Sequence, residues 1–187
     1  MSTGELHLII GCMYSGKSTE LLRIINNYRI LEEPVLAISH VIDNRYGNCE
    51  IISHDNKSFP CIQTGQLYDM DIDKYKIIII EEAQFFDDLT IFVKRALTAN
   101  KIIYVAGLDG DFKRRKFGQM LDIICLSDDV VKLKAICINC KKNDAIFTHR
   151  LSREQKQILV GNNNYAALCR HCYNLKTAIS PQSKPVV

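Results

Sequence analysis

The segment Gly11-Cys12-Met13-Tyr14-Ser15-Gly16-Lys17-Ser18 constrains the fold of this chain more than any other. It has the form G-x-x-x-x-G-K-[ST] and lies between an apolar run, Leu6-His7-Leu8-Ile9-Ile10, and a stretch from Lys17 to Leu31 with helical periodicity. In that setting each residue type has a physical task. Glycines let the backbone curl round an anion, and amide N–H groups at a helix N-terminus offer partial positive charge. Lys17 adds a full charge for the β- and γ-phosphates, and the Ser18 hydroxyl suits Mg2+. A chance match in a glycine turn would need neither the strand before it nor the helix after it. The chain is expected to bind a nucleoside triphosphate.

The rest of the pattern agrees with an α/β core. Val35 to Ile38, Ile77 to Ile80 and Ile102 to Ala106 read as buried strands. The first helix is expected to face inward with Leu21, Ile24, Ile25, Tyr28 and Leu31 and to stop at Pro34. A second, ahead of Ile102, is expected to bury Ile91, Phe92, Ala96 and Leu97. Strands alternating with helices imply a mainly parallel sheet with right-handed crossovers. The polar stretch from Asp43 to Thr64 reads as loops with short strands, and His7 as a packed or edge histidine.

Across 187 residues the net charge is only +3, which argues against a nucleic-acid binder and suits an anionic small molecule. Lys113-Arg114-Arg115-Lys116 is the most basic run; a solvated loop, or a contact to phosphates or a neighbouring subunit, explains it better than a nucleic-acid patch. The longest aliphatic run, Ile77 to Ile80, is far short of the ~20 residues of a membrane span. The first residues lack the basic flank of a secretory signal, so a cytoplasmic, non-membrane protein is expected.

Two further constellations carry chemistry. Ile77 to Ile80 delivers Glu81 and Glu82 to the carboxyl edge of the sheet, where open α/β folds bind ligands. The first acid is placed to reach Mg2+, and the second to take a proton from an attacking hydroxyl. Near the C-terminus, Cys137-x-x-Cys140 and Cys169-x-x-Cys172 give four thiols suited to a closed, structural Zn2+ site. A redox pair or a nucleic-acid-binding ribbon are the alternatives, and His171 within its knuckle is left out of the ligand set. Zinc there would pin both ends of a loop containing Gly161-Asn162-Asn163-Asn164. The fold is therefore expected to be α/β, with a P-loop core over residues 1–131. A small C-terminal zinc-binding lasso domain follows over 132–178, with a flexible tail at 179–187.

Taken together, these segments strongly resemble the zinc-containing, cytosolic-type (type II) thymidine kinases. Also matching are Asp43-Asn44-Arg45-Tyr46, Glu82-Ala83-Gln84-Phe85-Phe86, Leu108-Asp109-Gly110-Asp111-Phe112, Phe117-Gly118, Thr148 and Tyr165. The resemblance implies transfer of the ATP γ-phosphoryl group to the 5′-hydroxyl of thymidine, with deoxyuridine tolerated. It implies Glu82 as general base, and Arg45 as stabiliser of the transferring group. The implied ATP site comprises the phosphate loop with Asp43, Asn44, Arg45, Glu81, Glu82, Ala83 and Gln84. The implied nucleoside site comprises Met13, Phe85, Leu108, Phe112, Phe117, Thr148 and Tyr165. A base-reading loop adds Lys156, Gln157, Ile158, Leu159, Val160 and Gly161. Structural Zn2+, Mg2+ with ATP at Ser18 and Glu81, dTTP as feedback inhibitor and a homotetramer are implied likewise.

Some positions depart from the family pattern. Glu81 stands for the usual Asp, Ala83 for Gly, Asp111 for a small polar residue and Cys12 for Pro, and the segment from Cys140 to Thr148 is one residue longer. Cys12 has two readings: a thiol of lowered pKa whose oxidation blocks ATP, or a small buried side chain tolerated in the loop. Rival functions are an ATP-driven nucleic-acid-binding protein with a zinc ribbon and a zinc-lidded nucleoside monophosphate kinase.

Overall fold

The computed structural model describes residues 3–42, 49–52, 57–159, 161 and 164–179. Its centre is a sheet of six strands among the described residues, ordered β5-β2-β6-β7-β1-β8. These are β1 (Glu5–Gly11), β2 (Val35–His40), β5 (Ile62–Thr64), β6 (Ile77–Glu81), β7 (Ile102–Gly107) and β8 (Asp129–Leu133). Every pairing between them is parallel. Outside the sheet, β3 (Glu50–Ile52) and β4 (Ser58–Pro60) form a small antiparallel pair.

The alternation of side chains along each strand assigns the two faces. Leu6, Leu8, Ile10, Ile78, Ile80, Ile103 and Val105 point to the face covered by α2 (Leu89–Thr98). Ile9, Ile77, Ile79 and Ala106 point to the face covered by α1 (Lys17–Ile30). All four isoleucines of β6 are fully buried, as a strand covered on both sides requires.

Two inward assignments are corrected. Ile91 is 61% exposed, because α2 begins at Leu89 and its buried stripe is Leu89, Phe92, Val93 and Ala96. Leu31 is 67% exposed because α1 ends at Ile30, leaving Leu31 as its C-cap. His7 stacks on Tyr104 with ring centroids 4.7 Å apart, a packed histidine as expected.

The C-terminal part contains β9 (Ala135–Ile136), β10 (Asp144–Ala145), β11 (Phe147–Arg150), β12 (Tyr165–Leu168) and α3 (Arg170–Ile179). β9 pairs with β10 and β11 with β12, both antiparallel. Its interior is built from Cys137, Ala145, Ala166, Ala167, Leu168, Cys169, Cys172 and Tyr173, together with Cys12 from the phosphate loop. This part docks on the core through specific polar contacts. The Tyr173 hydroxyl donates to the Phe112 carbonyl at 2.5 Å. The Arg114 guanidinium lies 4.7 Å from the Tyr173 ring centroid and donates to Asn174 Oδ1. One cation of the basic run thus holds α3. No helix among the described residues is long and apolar enough to cross a membrane.

Candidate active site

The carboxyl ends of β1, β6 and β7 meet at one cavity of about 1060 Å3, open to solvent. The chain leaves β1 for β2 on one side of the sheet and reaches β8 on the other, so this edge holds the topological switch point. The phosphate loop fits here only because of its glycines. Gly11 has φ +154° and a Cβ would lie 2.5 Å from the Leu133 carbonyl oxygen; Gly16 has φ +85° as the N-cap of α1. The first residues of α1, Lys17, Ser18 and Thr19, line the cavity, and a helix N-terminus there favours an anion.

Lys17 Nζ donates to the Cys12 carbonyl at 2.9 Å. Burial pushes its ammonium down, and the nearby Glu82, Cys12, Glu81 and Asp109 partly oppose that. Glu82 follows β6 with φ +51° and ψ +38°, a left-handed conformation that costs a non-glycine residue about 1 kcal/mol or more. Such a conformation persists only where surrounding structure enforces it. The buried Gln84 holds the Glu82 carboxylate. Its Nε2 donates to Glu82 Oε2 at 2.5 Å, while its Oε1 accepts from the Leu108 N–H at 3.0 Å.

Phe85 and Phe117 meet edge to face with ring centroids 5.6 Å apart, and both line the cavity together with Phe112 and Leu108. The remaining wall comes from the C-terminal part: Thr148, Gln157, Ile158, Leu159, Gly161 and Tyr165. Thr148 Oγ1 accepts from the Met13 N–H at 3.0 Å, so β11 is bonded directly to the phosphate loop.

Most residues expected at the site therefore surround one space: Met13, Tyr14, Ser15, Gly16, Lys17, Ser18, Glu81, Glu82, Gln84, Phe85, Leu108, Phe112, Phe117, Thr148, Gln157, Ile158, Leu159, Gly161 and Tyr165. Ala83 is fully buried in the core beneath it. Lys156 is exposed, with its carbonyl turned to Arg150. Asp43, Asn44, Arg45 and Val160 lie outside the described residues, as do Asn162 and Asn163. The reactive-thiol reading of Cys12 is corrected: the residue is 1% exposed, its Sγ donates to the Ala145 carbonyl at 3.4 Å, and burial pushes its pKa up. Asp111, which the sequence did not place among the site residues, lines the cavity and accepts from Gln157 Nε2 at 3.0 Å. Arg150 carried no signal in its own neighbourhood.

The four cysteines of the two pairs converge, with all Sγ atoms within 4.8 Å of one another. They are free thiols, and the Cys140 to Cys169 separation of 3.9 Å is far longer than a disulfide and close to the edge of a metal–sulfur tetrahedron. Asn139 Nδ2 donates to Cys172 Sγ at 3.3 Å, the kind of outer support that thiolate ligands receive. The donor set fits a metal ion held in a closed site, and His171 takes no part in it.

A parallel sheet with a phosphate loop and a carboxylate at its carboxyl edge is the build of a P-loop phosphotransferase. Comparison with known sequences narrows that class. The thymidine kinase family model matches residues 4–173. The thymidine kinase of sheeppox virus (strain KS-1) is 42% identical over 180 residues, covering 94% of this chain and 100% of that protein. Those of monkeypox virus and vaccinia virus (strain Copenhagen) are each 42% identical over 176 residues, covering 92% of this chain and 98% of theirs. The chain belongs to the thymidine kinase family.

Proposed function

We propose that the protein transfers the γ-phosphoryl group of ATP to the 5′-hydroxyl of thymidine, giving dTMP. The observation that carries this reading is the shared cavity, lined at once by the phosphate loop, Glu82, Phe85, Phe112 and Phe117. ATP phosphates lie along the amides of Gly11 to Ser18, with Lys17 countering the charge of the group in flight. Glu82 accepts the proton of the 5′-hydroxyl. In a loose transition state that proton leaves late, so the fixed left-handed Glu82 and its Gln84 partner matter through position. Arg45 is proposed to stabilise the transferring group, with Asp43 and Asn44 beside it.

Phe85 and Phe112 flank the flat base, and Met13, Leu108, Thr148 and Tyr165 surround its 5-methyl group. The backbone from Lys156 to Gly161 reads the polar edge of the base. An apolar pocket discriminates one methyl by only ~1–3 kcal/mol, so deoxyuridine is accepted more weakly. Ser18 and Glu81 would hold Mg2+, which neutralises phosphate charge when bound; both line the cavity. The four cysteines would hold Zn2+, whose contribution is the shape of the C-terminal unit. The border expected after residue 131 falls inside β8 (Asp129–Leu133), so we draw it between the two units after Leu133. By resemblance alone the proposal extends to a cytoplasmic homotetramer inhibited by dTTP.

Transfer of labelled phosphate from ATP to thymidine, deoxyuridine, deoxycytidine and dTMP tests this reading. Thymidine is expected to be the best acceptor, deoxyuridine weaker, and the others inert. Preferred labelling of dTMP would favour a monophosphate kinase. ATP hydrolysis stimulated by DNA but not by thymidine would favour a nucleic-acid-dependent ATPase.

A further inference from the structure

The loop assigned above to the base has its roots in two facing residues. Arg150 ends β11, Tyr165 begins β12, and the two are register partners, so residues 151–164 leave and return at this pair. The Leu151 N–H donates to the Asn164 carbonyl at 2.8 Å and closes the neck. The loop's described residues 151–159 carry no helix or strand, and a long stretch of that kind is costly to order and uncommon in a compact domain unless something holds it.

Arg150 is 4% exposed, an unusual position for a guanidinium. One terminal nitrogen donates to the carbonyls of Glu154, at 3.2 Å, and Lys156. The other donates to the Gln157 carbonyl at 2.9 Å and to the Tyr165 hydroxyl at 2.5 Å. That hydroxyl in turn donates to the Leu159 carbonyl at 2.9 Å. The guanidinium lies over the Phe112 ring, 3.8 Å from its centroid. One planar cation therefore ties the loop backbone at 154, 156 and 157, and through Tyr165 at 159, to an aromatic ring of the cavity wall.

Each side of this arrangement needs the other. A buried cation without acceptors is strongly unfavourable, and loop carbonyls turned inward need donors. Arginine suits the task because its rigid fork can bond several carbonyls at once and stack on a ring, whereas a lysine ammonium is a single point charge. We propose that Arg150 is a positioning residue for base recognition. It holds the 154–159 backbone in the shape that meets the base without itself touching the reacting atoms. The inference rests on reading that loop as the base-covering element.

Arg150→Lys keeps the charge and removes the fork. In the metal-loaded protein this variant is expected to raise the KM for thymidine about tenfold or more. The KM for ATP should stay within about twofold, since the phosphate loop is not bonded to Arg150. Hydrogen exchange at amides 154–159 should accelerate while the four-thiol metal content is unchanged. Tyr165→Phe, which removes one acceptor and the link to Leu159, should give a smaller rise in the same direction. It also serves if Arg150→Lys does not fold. Equal rises in both KM values, or wild-type exchange at 154–159 in either variant, would overturn the proposal. A wild-type protein inert toward thymidine would instead remove the functional reading, and the exchange rates would still decide the role of Arg150.

Discussion

Around β6 the interior is mostly isoleucine, leucine, phenylalanine and valine; around β12 it is alanine and cysteine with one leucine and one tyrosine. The sheet can be held by apolar burial alone, at roughly 1.5–3 kcal/mol per large aliphatic side chain. The C-terminal unit buries too little of that kind. Its shape depends on a four-thiol cluster, on polar contacts to the core and on a buried arginine. The difference teaches where each kind of specificity is built. On the proposed function, phosphate chemistry rests on the rigid edge of the sheet, and nucleobase recognition on a unit that directional bonds must hold in place.

Metal removal is the most severe way to break this contrast. Structural thiolate sites contribute on the order of 10 kcal/mol to small units, so chelation should abolish thymidine phosphorylation and expose amides 135–179 to exchange. Amides of β1, β6 and β7 should keep their protection; loss of both together would make the two regions one cooperative unit. Glu82→Gln sharpens the contrast from the sheet side. A fall in kcat of about 10²–10⁴-fold is expected, with ATP binding and Tm nearly unchanged. Near-normal turnover would remove Glu82 as the base.

Ile79→Ala should cost about 3 kcal/mol in denaturant unfolding, since the residue is fully buried in the central strand, while metal content per folded molecule is unchanged. Cys12→Ala should cost about 1 kcal/mol, because it removes a buried contact and the bond to Ala145. The sensitivity of the enzyme to peroxide should not change in that variant.

The smallest effect concerns pH. Burial lowers the pKa of His40, which packs on Phe85 and Phe86, with Asp87 and Asp88 opposing. Above the ordinary histidine pKa of about 6.5 both folded and unfolded forms are neutral, and the stability is complete. As pH falls, the unfolded chain takes up the proton first, so stability declines through the folded pKa. A Tm drop of about 2 °C or less between pH 7.5 and 5.5 is expected, made smaller by His40→Gln and not abolished, because burial also lowers the pKa of His149.

What the sequence revealed follows from how local each signal is. The phosphate loop, the β6 isoleucines and the cysteine spacing are contiguous or short-range patterns, and the structure brings them where their chemistry requires. Ile91 was misjudged because, at about 100° per residue, it falls about 200° round the helix from Leu89 and so away from the stripe of Leu89, Phe92, Val93 and Ala96. Arg150 was invisible because its acceptors are backbone carbonyls, which leave no side-chain signature. Cys12 sits in the phosphate loop by sequence but packs into the C-terminal interior, a contact made across more than 130 residues of chain.

The central claim is that a loop between β11 and β12 closes on a nucleoside beside the phosphate loop. Hydrogen exchange of the metal-loaded protein with thymidine, and separately with a non-hydrolysable ATP analogue, tests it directly. Thymidine should slow exchange at 154–159 and at 108–112, and the analogue at 13–19. Thymidine that leaves 154–159 at their ligand-free rates would contradict the account.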